Sequence, residues 1–408
     1  MKLLTPGNLS FPLPHPPQMN NHGNYIVSLS RVVAWLAEQA EELGVEVYPG
    51  FAGARPLFTE DGKGIKGVVT GDVGLDKFGK PKDSYEPGME FHAKVTLIAE
   101  GAHGSVSKVL QNKFNLREGK DPQTYGIGIK EVWKVRDEVH KPGEILHTMG
   151  WPLDYKTYGG SFMYHMEDNM VTLGLVMGLD YANPYLSPFR EFQRMKHHPV
   201  FANVLKGGEC IAYGARALNE GGLQSIPKLY FPGGALIGCS AGFLNVPKIK
   251  GTHNAMKSGM VAAEEAYKQL TGENAESSEP VDMSGYEAAM EKSWVYDELR
   301  EVRNIRPSFH NPLGMWGGMA WSGLDSMILK GRVPFTFHHP KEDYAATKPA
   351  SQFKEIVYPK PDGELSFDIL TSVARTGTNH AENQPVHLRL PNDPEAKARH
   401  TAENVTSE

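Results

Sequence analysis

Phe231-Pro232-Gly233-Gly234-Ala235-Leu236-Ile237-Gly238-Cys239-Ser240-Ala241-Gly242-Phe243 is the stretch whose reading decides the fold. A short β-prone run, Ala235 to Ile237, feeds a glycine-containing turn, and a small-residue-rich helix is expected from Gly251 to about Leu270. Strand, turn and helix in that order make an α/β unit. Glycine at 233, 234, 238, 242 and 251 lets backbone lie flat against a ligand, and the helix start aims free N–H groups and its positive dipole end at the same place. The small residues Thr252, Asn254, Ala255, Ser258, Gly259, Ala262 and Ala263 suit a helix packed closely under a strand or a flat ring. Close helix–sheet packing with no ligand explains the same residues, and the stretch alone leaves both readings open.

A second strand–turn–helix pattern stands upstream, at Lys94-Val95-Thr96-Leu97-Ile98-Ala99-Glu100-Gly101-Ala102-His103-Gly104-Ser105, with a helix from Val106. It offers another place for phosphate or ribityl oxygens, or simply a structural turn. Between the two patterns, residues 125 to about 213 are rich in aromatics and β-prone runs such as Met170 to Met177. Turns are expected at Gly159-Gly160 and Asn183-Pro184, and one helix near Pro188 to Lys196. The reading is therefore α/β (α+β): two halves of one α/β domain with a β-rich lobe inserted between them.

Further out, the prolines at 6, 12, 14, 16 and 17 exclude a regular helix or central strand up to about Gln18 and predict an extended lead-in. Val32, Val33, Leu36, Ala40 and Leu43 are spaced for a helix within 27–43, capped at Ser28 or Ser30 and ended by Gly44. A short strand, Val45 to Tyr48, is expected next. Residues 67–93 read as a meander or hairpin. Beyond about Lys341 the composition turns polar, and from Thr376 the end reads as peripheral.

Composition narrows function. The 408 residues exceed the ~150 of one average domain. Lys plus Arg is 42 and Asp plus Glu is 48, so the net charge is −6, which gives no general attraction to nucleic acid. The two cysteines, Cys210 and Cys239, cannot frame a disulfide-rich domain or supply four thiolates. No run approaches the ~18 apolar residues of a spanning helix. Leu313 to Leu324 is uncharged, holds Trp316 and Trp321, and is followed by Asp325, Lys330 and Arg332; it suits either a buried segment or shallow insertion at a membrane surface. The pairs His197-His198 and His338-His339 lack a carboxylate–histidine cluster and read as surface or capping residues rather than a metal site.

Several long stretches carry a resemblance: Met19 to Val27, Leu43 to Gly50, Thr157 to Phe162, Asn183 to Arg194 and Asn245 to His253. Through these the chain resembles the electron-transfer flavoprotein–ubiquinone oxidoreductase family, over nearly all its length to about Pro391. The resemblance implies a glutathione-reductase-like FAD domain, an inserted ubiquinone-binding domain and an iron–sulfur domain. It implies electrons passing from reduced electron-transfer flavoprotein, by way of FAD and a 4Fe-4S cluster, to ubiquinone. Monotopic attachment to the membrane surface, on the matrix side of the mitochondrial inner membrane, is also implied.

Carried over by position, Val47 lies beside the adenine, and Glu100 and Gly101 near the ribose and phosphates. Gly238, Cys239, Ser240 and Gly242 fall in the G-D-A-A-G stretch of related flavoproteins, with Cys239 where relatives often have aspartate. Gly251 and Thr252 lie beside the isoalloxazine, and Tyr158, Gly159 and Gly160 match the ubiquinone contacts. The implied division is 1–124 (FAD domain, lacking its first βαβ), 125–228 (ubiquinone), 229–340 (FAD-domain return and membrane-surface segment) and 341–408 (start of the iron–sulfur domain).

Two departures stand out. The G-x-G-x-x-G that grips the FAD diphosphate is absent, as are the cluster cysteines, so the expectation is the middle of a longer protein. Two other readings compete: a flavin reductase of the geranylgeranyl reductase type, which would lack Tyr158-Gly159-Gly160, and a catalytically silent chain without flavin.

Overall fold

The computed structural model describes residues 1–272 and 279–385. The chain opens with β1 (Lys2–Leu4) and β2 (Ser10–Pro12), then α1 (Leu29–Glu42), β3 (Gly53–Phe58), β4 (Ile65–Thr70), the hairpin β5 (Val73–Leu75) and β6 (Pro81–Glu86), β7 (Glu90–His92), β8 (Thr96–Ile98) and α2 (Ser105–Lys113). Next come β9 (Tyr125–Lys134), β10 (Ile145–Gly150), β11 (Gly159–His165), β12 (Met170–Gly178), α3 (Pro188–Met195), α4 (Pro199–Leu205) and β13 (Glu209–Asn219). The chain returns through β14 (Tyr230–Phe231), β15 (Gly234–Leu236), α5 (Thr252–Thr271), α6 (Ser284–Glu291), α7 (Trp294–Val302), α8 (Met315–Leu324) and α9 (Ile369–Ala374).

The largest sheet runs β13-β9-β12-β11-β10-β1-β2, antiparallel except where β1 pairs parallel with β10. Its inward residues Ile129, Trp133, Val171, Leu173 and Leu175 pack on Phe192 and Met195 of α3, Phe201 and Leu205 of α4, and Leu365 and Phe367 from near the end of the described chain. Each such fully buried side chain contributes roughly 1.5–3 kcal/mol. Beneath them Lys196 and Glu131 are buried together, with Nζ 2.9 and 2.8 Å from the two carboxylate oxygens.

A second core gathers the other part of the chain. β8 runs parallel to β15, which pairs with β14, so Thr96–Ile98 and Gly234–Leu236 share one sheet although about 136 residues separate Ile98 and Gly234. The β3-β4-β7 sheet lies beside it, and Ile65, Leu110, Phe231, Phe243, Val261 and Tyr286 fill the space between.

Several expectations are corrected. Lys2–Leu4 forms a strand inside the large sheet, because that triplet carries no proline and the first, Pro6, comes after it; the lead-in is extended only in part. Val45–Tyr48 forms no strand, since its backbone has no ladder partner. Gly159-Gly160 is not a turn but the start of β11, paired with Met177 and Val176 of β12. The β-rich stretch holds two helices rather than one, because Pro199 at the first helical position and His198, whose Nδ1 accepts from the Val200 N–H, start α4 afresh. α1 begins after Ser28 as expected, yet that hydroxyl makes no capping bond and no α1 residue is buried. The tail expected to be peripheral lies largely outside the described residues from 386 on.

Candidate functional site: an apolar cavity and a glycine cradle

β10, β11 and β12 open on one side into a cavity of about 540 Å³. Tyr158, Gly159, Gly160 and Phe162 form one wall, and Trp316, Met319 and Met327 of α8 and the turn after it form another. Leu244, Val246, Pro247 and Ile249 close a third side. The glycines are demanded by the sheet itself: a Cβ on Gly160 would stand 2.5 Å from the Thr148 carbonyl oxygen, and one on Gly159 2.4 Å from that of Val176. Bare backbone therefore meets the cavity where three strands crowd together.

The lining is apolar with few polar points. The hydroxyls of Thr148 and Ser161 bond to each other. Those of Ser322 and Ser326 also line the cavity and find no partner. His147 faces it from β10, with the Tyr164 hydroxyl 3.4 Å from Nε2; burial, helped by Lys250 and the chain amino group, pushes its pKa down to about 4, so the ring is neutral near pH 7. A second cavity of about 550 Å³, of mixed lining that includes His15, His22 and His165, shares His147, Met19 and Met1 with the apolar one.

One buried charge cluster touches the cavity. Arg306 Nε donates to Glu220 Oε2 at 2.9 Å and its Nη2 to Asp180 Oδ2 at 3.0 Å, while the guanidinium lies 4.1 Å from the centroid of the Tyr158 ring. Glu220 is a lining residue. Burial opposes charge on Arg306, but Asp180 and Glu220 outweigh it and hold the guanidinium protonated. Burial would raise Asp180, yet Arg306 and His310 win and keep it below the ordinary range; burial prevails at Glu220 and raises it. Sequence reasoning missed this cluster. Its members are scattered over 126 positions and carry no spacing signal.

The glycine cradle lies on the neighbouring core. The Glu100 carboxylate accepts from the Val106 and Ser107 N–H groups at 3.2 and 2.6 Å, so it caps α2 rather than facing outward. Gly101 adopts φ +80° with open space where a Cβ would be, and its carbonyl accepts from the Ser240 hydroxyl at 3.4 Å. Gly238, at φ +57°, donates its N–H to Ser258 on α5 at 2.9 Å. Cys239 sits between them, half-buried, with its thiol raised by burial. Gly242 is buried and turns the chain at φ +87°. Gly251 precedes α5 with no side-chain cap, and Thr252 begins the helix exposed.

The Glu100-Gly101 turn and the start of α5 thus meet through Gly238 to Ser240. Val47 does not join them: it lies on the segment after α1, whose Tyr48 ring packs on Phe51 and Phe91. Of the histidine pairs, His198 caps α4 and exposed His338 pairs with Asp121, whereas His339, expected at the surface or as a cap, is buried with Nε2 against the Gly221 carbonyl, which satisfies it inside. No group of three or more His, Cys, Asp or Glu suited to a metal ion occurs among the described residues.

The loop from Phe243 to Gly251 joins the two places. Its Leu244, Val246, Pro247 and Ile249 line the cavity, and its end begins α5. Asn254 of α5 pins it by donating Nδ2 to the Phe243 carbonyl at 2.7 Å, while the Asn254 Oδ1 is buried without a partner.

Comparison with known proteins now bears on this arrangement. A family model described as "ETF-QO, ubiquinone-binding" matches residues 125–218, from the start of β9 nearly to the end of β13. The chain is a relative of the electron transfer flavoprotein–ubiquinone oxidoreductases. A second model, "Electron transfer flavoprotein-ubiquinone oxidoreductase, 4Fe-4S", matches residues 363–407. The probable mitochondrial electron transfer flavoprotein–ubiquinone oxidoreductase of Schizosaccharomyces pombe is 60% identical over 388 residues, 95% of this chain and 61% of that protein. The mitochondrial enzymes of Bos taurus and Homo sapiens are each 59% identical over 378 residues, 92% of this chain and 61% of theirs.

The chain therefore spans about 61% of the length of these relatives. Among solved structures, a geranylgeranyl bacteriochlorophyll reductase-like protein from Thermoplasma acidophilum superposes with a TM-score of 0.53 at 13% identity, covering 81% of this chain and 72% of that one. That likeness places the fold among α/β proteins of this type. None of the described helices is long and apolar enough to cross a membrane.

Proposed function

We propose that this chain binds ubiquinone in the apolar cavity and cradles FAD at the start of α5, within an electron-transfer flavoprotein:ubiquinone oxidoreductase. The single observation that carries the proposal is the shared loop: Leu244 to Ile249 line the cavity, and two residues later the loop enters an uncapped helix N-terminus. An oxidised quinone ring is flat and apolar with two carbonyl acceptors. The cavity supplies apolar walls, bare backbone at Gly159-Gly160 and a few polar points.

The residues at the cradle fit FAD in part. Gly101 leaves open space beside its carbonyl, the first turn of α5 offers free N–H groups, and the orphaned Asn254 Oδ1 is an acceptor in want of a donor. Glu100, Gly101, Gly238, Cys239, Ser240, Gly242, Gly251 and Thr252 are assigned to this cradle, and Val47 to the adenine end. Cys239 brings a neutral thiol where a carboxylate partner for ribityl hydroxyls is usual. When bound, FAD supplies the redox chemistry; this chain orients it beside the quinone and keeps water out.

The iron–sulfur cluster fits poorly. Cys210 and Cys239 are the chain's only cysteines, neither lies within 363–407, and burial raises both thiols, Cys210 to about 12. No step is assigned to a cluster here. Reduced electron-transfer flavoprotein is the proposed electron donor.

A surface-lying membrane attachment belongs to the same reading. Leu313, Trp316, Leu324, Met327 and Ile328 are exposed beside the cavity, with Lys330 and Arg332 next to them. This suits entry of a lipid-soluble quinone from the matrix-side surface of the mitochondrial inner membrane. Residues 125–228 are assigned as the inserted quinone-binding domain, with 1–124 and 229–340 forming the flavin part and 341–408 the start of an iron–sulfur domain. The N-terminal strands β1 and β2 pair with the quinone-side sheet.

Titration of the chain with ubiquinone-1 tests the reading: quenching of Trp fluorescence that disappears in Trp316→Phe is expected. A cavity that leaves the fluorescence unchanged at saturating quinone refutes it. Yellow, protein-bound flavin after incubation with FAD, weakened in Gly101→Val, is expected for the cradle. The geranylgeranyl reductase alternative predicts flavin binding with no quinone response.

A further inference from the structure

Resting on the quinone reading above, we propose that Glu220 is the proton donor to the quinone: a carboxylic acid that gives its proton to one quinone oxygen as electrons arrive. Glu220 lines the cavity; its Oε2 is held by Arg306 Nε, and its Oε1 lies against Gly126, where a Cβ would come within 2.3 Å. Only a glycine at 126 leaves room for that oxygen. Glu220 is 2% exposed and Arg306 3%. Its backbone is fixed by its own N–H donating to the Thr124 carbonyl at 2.7 Å.

The charge count explains why this carboxyl can carry a proton. Among the described residues, Arg306 is the one lysine or arginine bonded to both carboxylates, the buried Glu220 and the half-buried Asp180. One guanidinium neutralises one of them, and a second bare charge in an apolar wall is costly. Asp180 also faces His310, with Nδ1 at 3.5 Å, so it is the better ion and Glu220 the better acid. The other titratable groups around Glu220 do not supply the missing positive charge. Tyr158 stacks on Arg306 with its phenol raised by burial, and Asp343 is raised by burial and adds negative charge; Tyr125 is raised likewise, while burial lowers both His310 and His339.

The step balances simply. A bound flavin would supply the two electrons. The Glu220 O–H breaks and an O–H forms on the quinone oxygen, leaving a carboxylate beside Arg306. Solvent water protonates the second oxygen and later restores Glu220. His147 and Tyr158 are the other titratable side chains of the lining; His147 stays neutral above about pH 4 and burial raises the Tyr158 phenol, so neither changes charge in the working range.

A protonated carboxyl donates a hydrogen bond to oxidised quinone, whereas a carboxylate accepts one from quinol. The two ligands must therefore bind with opposite pH dependence. The full chain is titrated with ubiquinone-1 and separately with ubiquinol-1 between about pH 5 and pH 9, read by Trp316 quenching. Above the pKa of Glu220, quinone binding is expected to weaken towards ~10-fold per pH unit, the one-proton limit, while quinol binding tightens over the pH range below it.

In Glu220→Gln both curves flatten, because an amide neither gains nor loses the proton; Glu220→Asp keeps the opposed slopes. Equal or flat slopes in the unaltered chain, which need no variant to measure, overturn the proposal, as do opposed slopes that survive in Glu220→Gln. Absence of quinone binding at every pH instead refutes the quinone reading on which this one stands.

Discussion

The large antiparallel sheet and the helices of the molecule solve the same problem differently. Beneath the large sheet a buried charge is kept in company: Lys196 meets Glu131, whose oxygens also accept from Trp133 Nε1 and Gln193 Nε2 at 2.7 and 3.1 Å. By contrast, α1 buries none of its residues and leaves Val33, Trp35 and Leu36 exposed, and on the cradle side Met256 and Met260 of α5 are exposed too. A charge buried under a sheet persists only when its partners hydrogen-bond it fully. A helix face with no described neighbour gains little from being apolar. The lesson is that amphipathic spacing forecasts a helix, not its burial.

Four measurements sharpen or break that contrast. Lys196→Met leaves Glu131 buried without its cation and should cost about 3–5 kcal/mol in urea unfolding, the largest effect here. A loss near zero would mean that the carboxyl is already neutral. Second, His339 is buried and its pKa is pushed down to about 4, first by burial and then by Arg306. The unfolded ring binds a proton near pH 6.5 while the folded one resists, so this contribution is full above pH 6.5 and is lost as pH falls towards 4. It amounts to about 3 kcal/mol from the 2.5-unit difference. Unfolding followed across that window should flatten in His339→Gln.

Smaller changes belong to the cradle side. Gly101→Ala meets no atom but must hold φ +80°, so about 1 kcal/mol of backbone strain is expected in thermal unfolding, with no change in quinone quenching. Weakened quinone binding in that variant would show the two places to be coupled. Trp35→Ala, on the exposed face of α1, should shift stability by no more than ~0.5 kcal/mol. A larger loss would reveal that a partner surface covers this helix.

Much of the fold was legible along the chain because its signals are local. The α5 helix, the β5–β6 hairpin and the strands at Thr96–Ile98 and Met170–Gly178 all follow from periodicity and turn residues. The Gly159-Gly160 pair misled because glycine marks turns and close strand crowding alike, and only the Thr148 and Val176 carbonyls distinguish them. Lys2–Leu4 misled because nearby prolines masked a three-residue strand whose partner, β10, lies over 140 positions away.

The candidate sites divide in the same way. Gly101, Gly238 and Thr252 could be marked by type and by resemblance, and their meeting follows from the parallel pairing of β8 with β15. Glu220, Arg306 and Asp180 could not, since nothing in their spacing distinguishes them from any other charges. By itself, the order of residues determined the local elements, the absence of a four-thiolate set and the family likeness, because those depend on neighbours in the chain or on residue identity alone. Tertiary structure alone decided which acid sits in the cavity wall and which charge faces it. Burial and Coulomb energy depend on distance through space, which chain position does not encode.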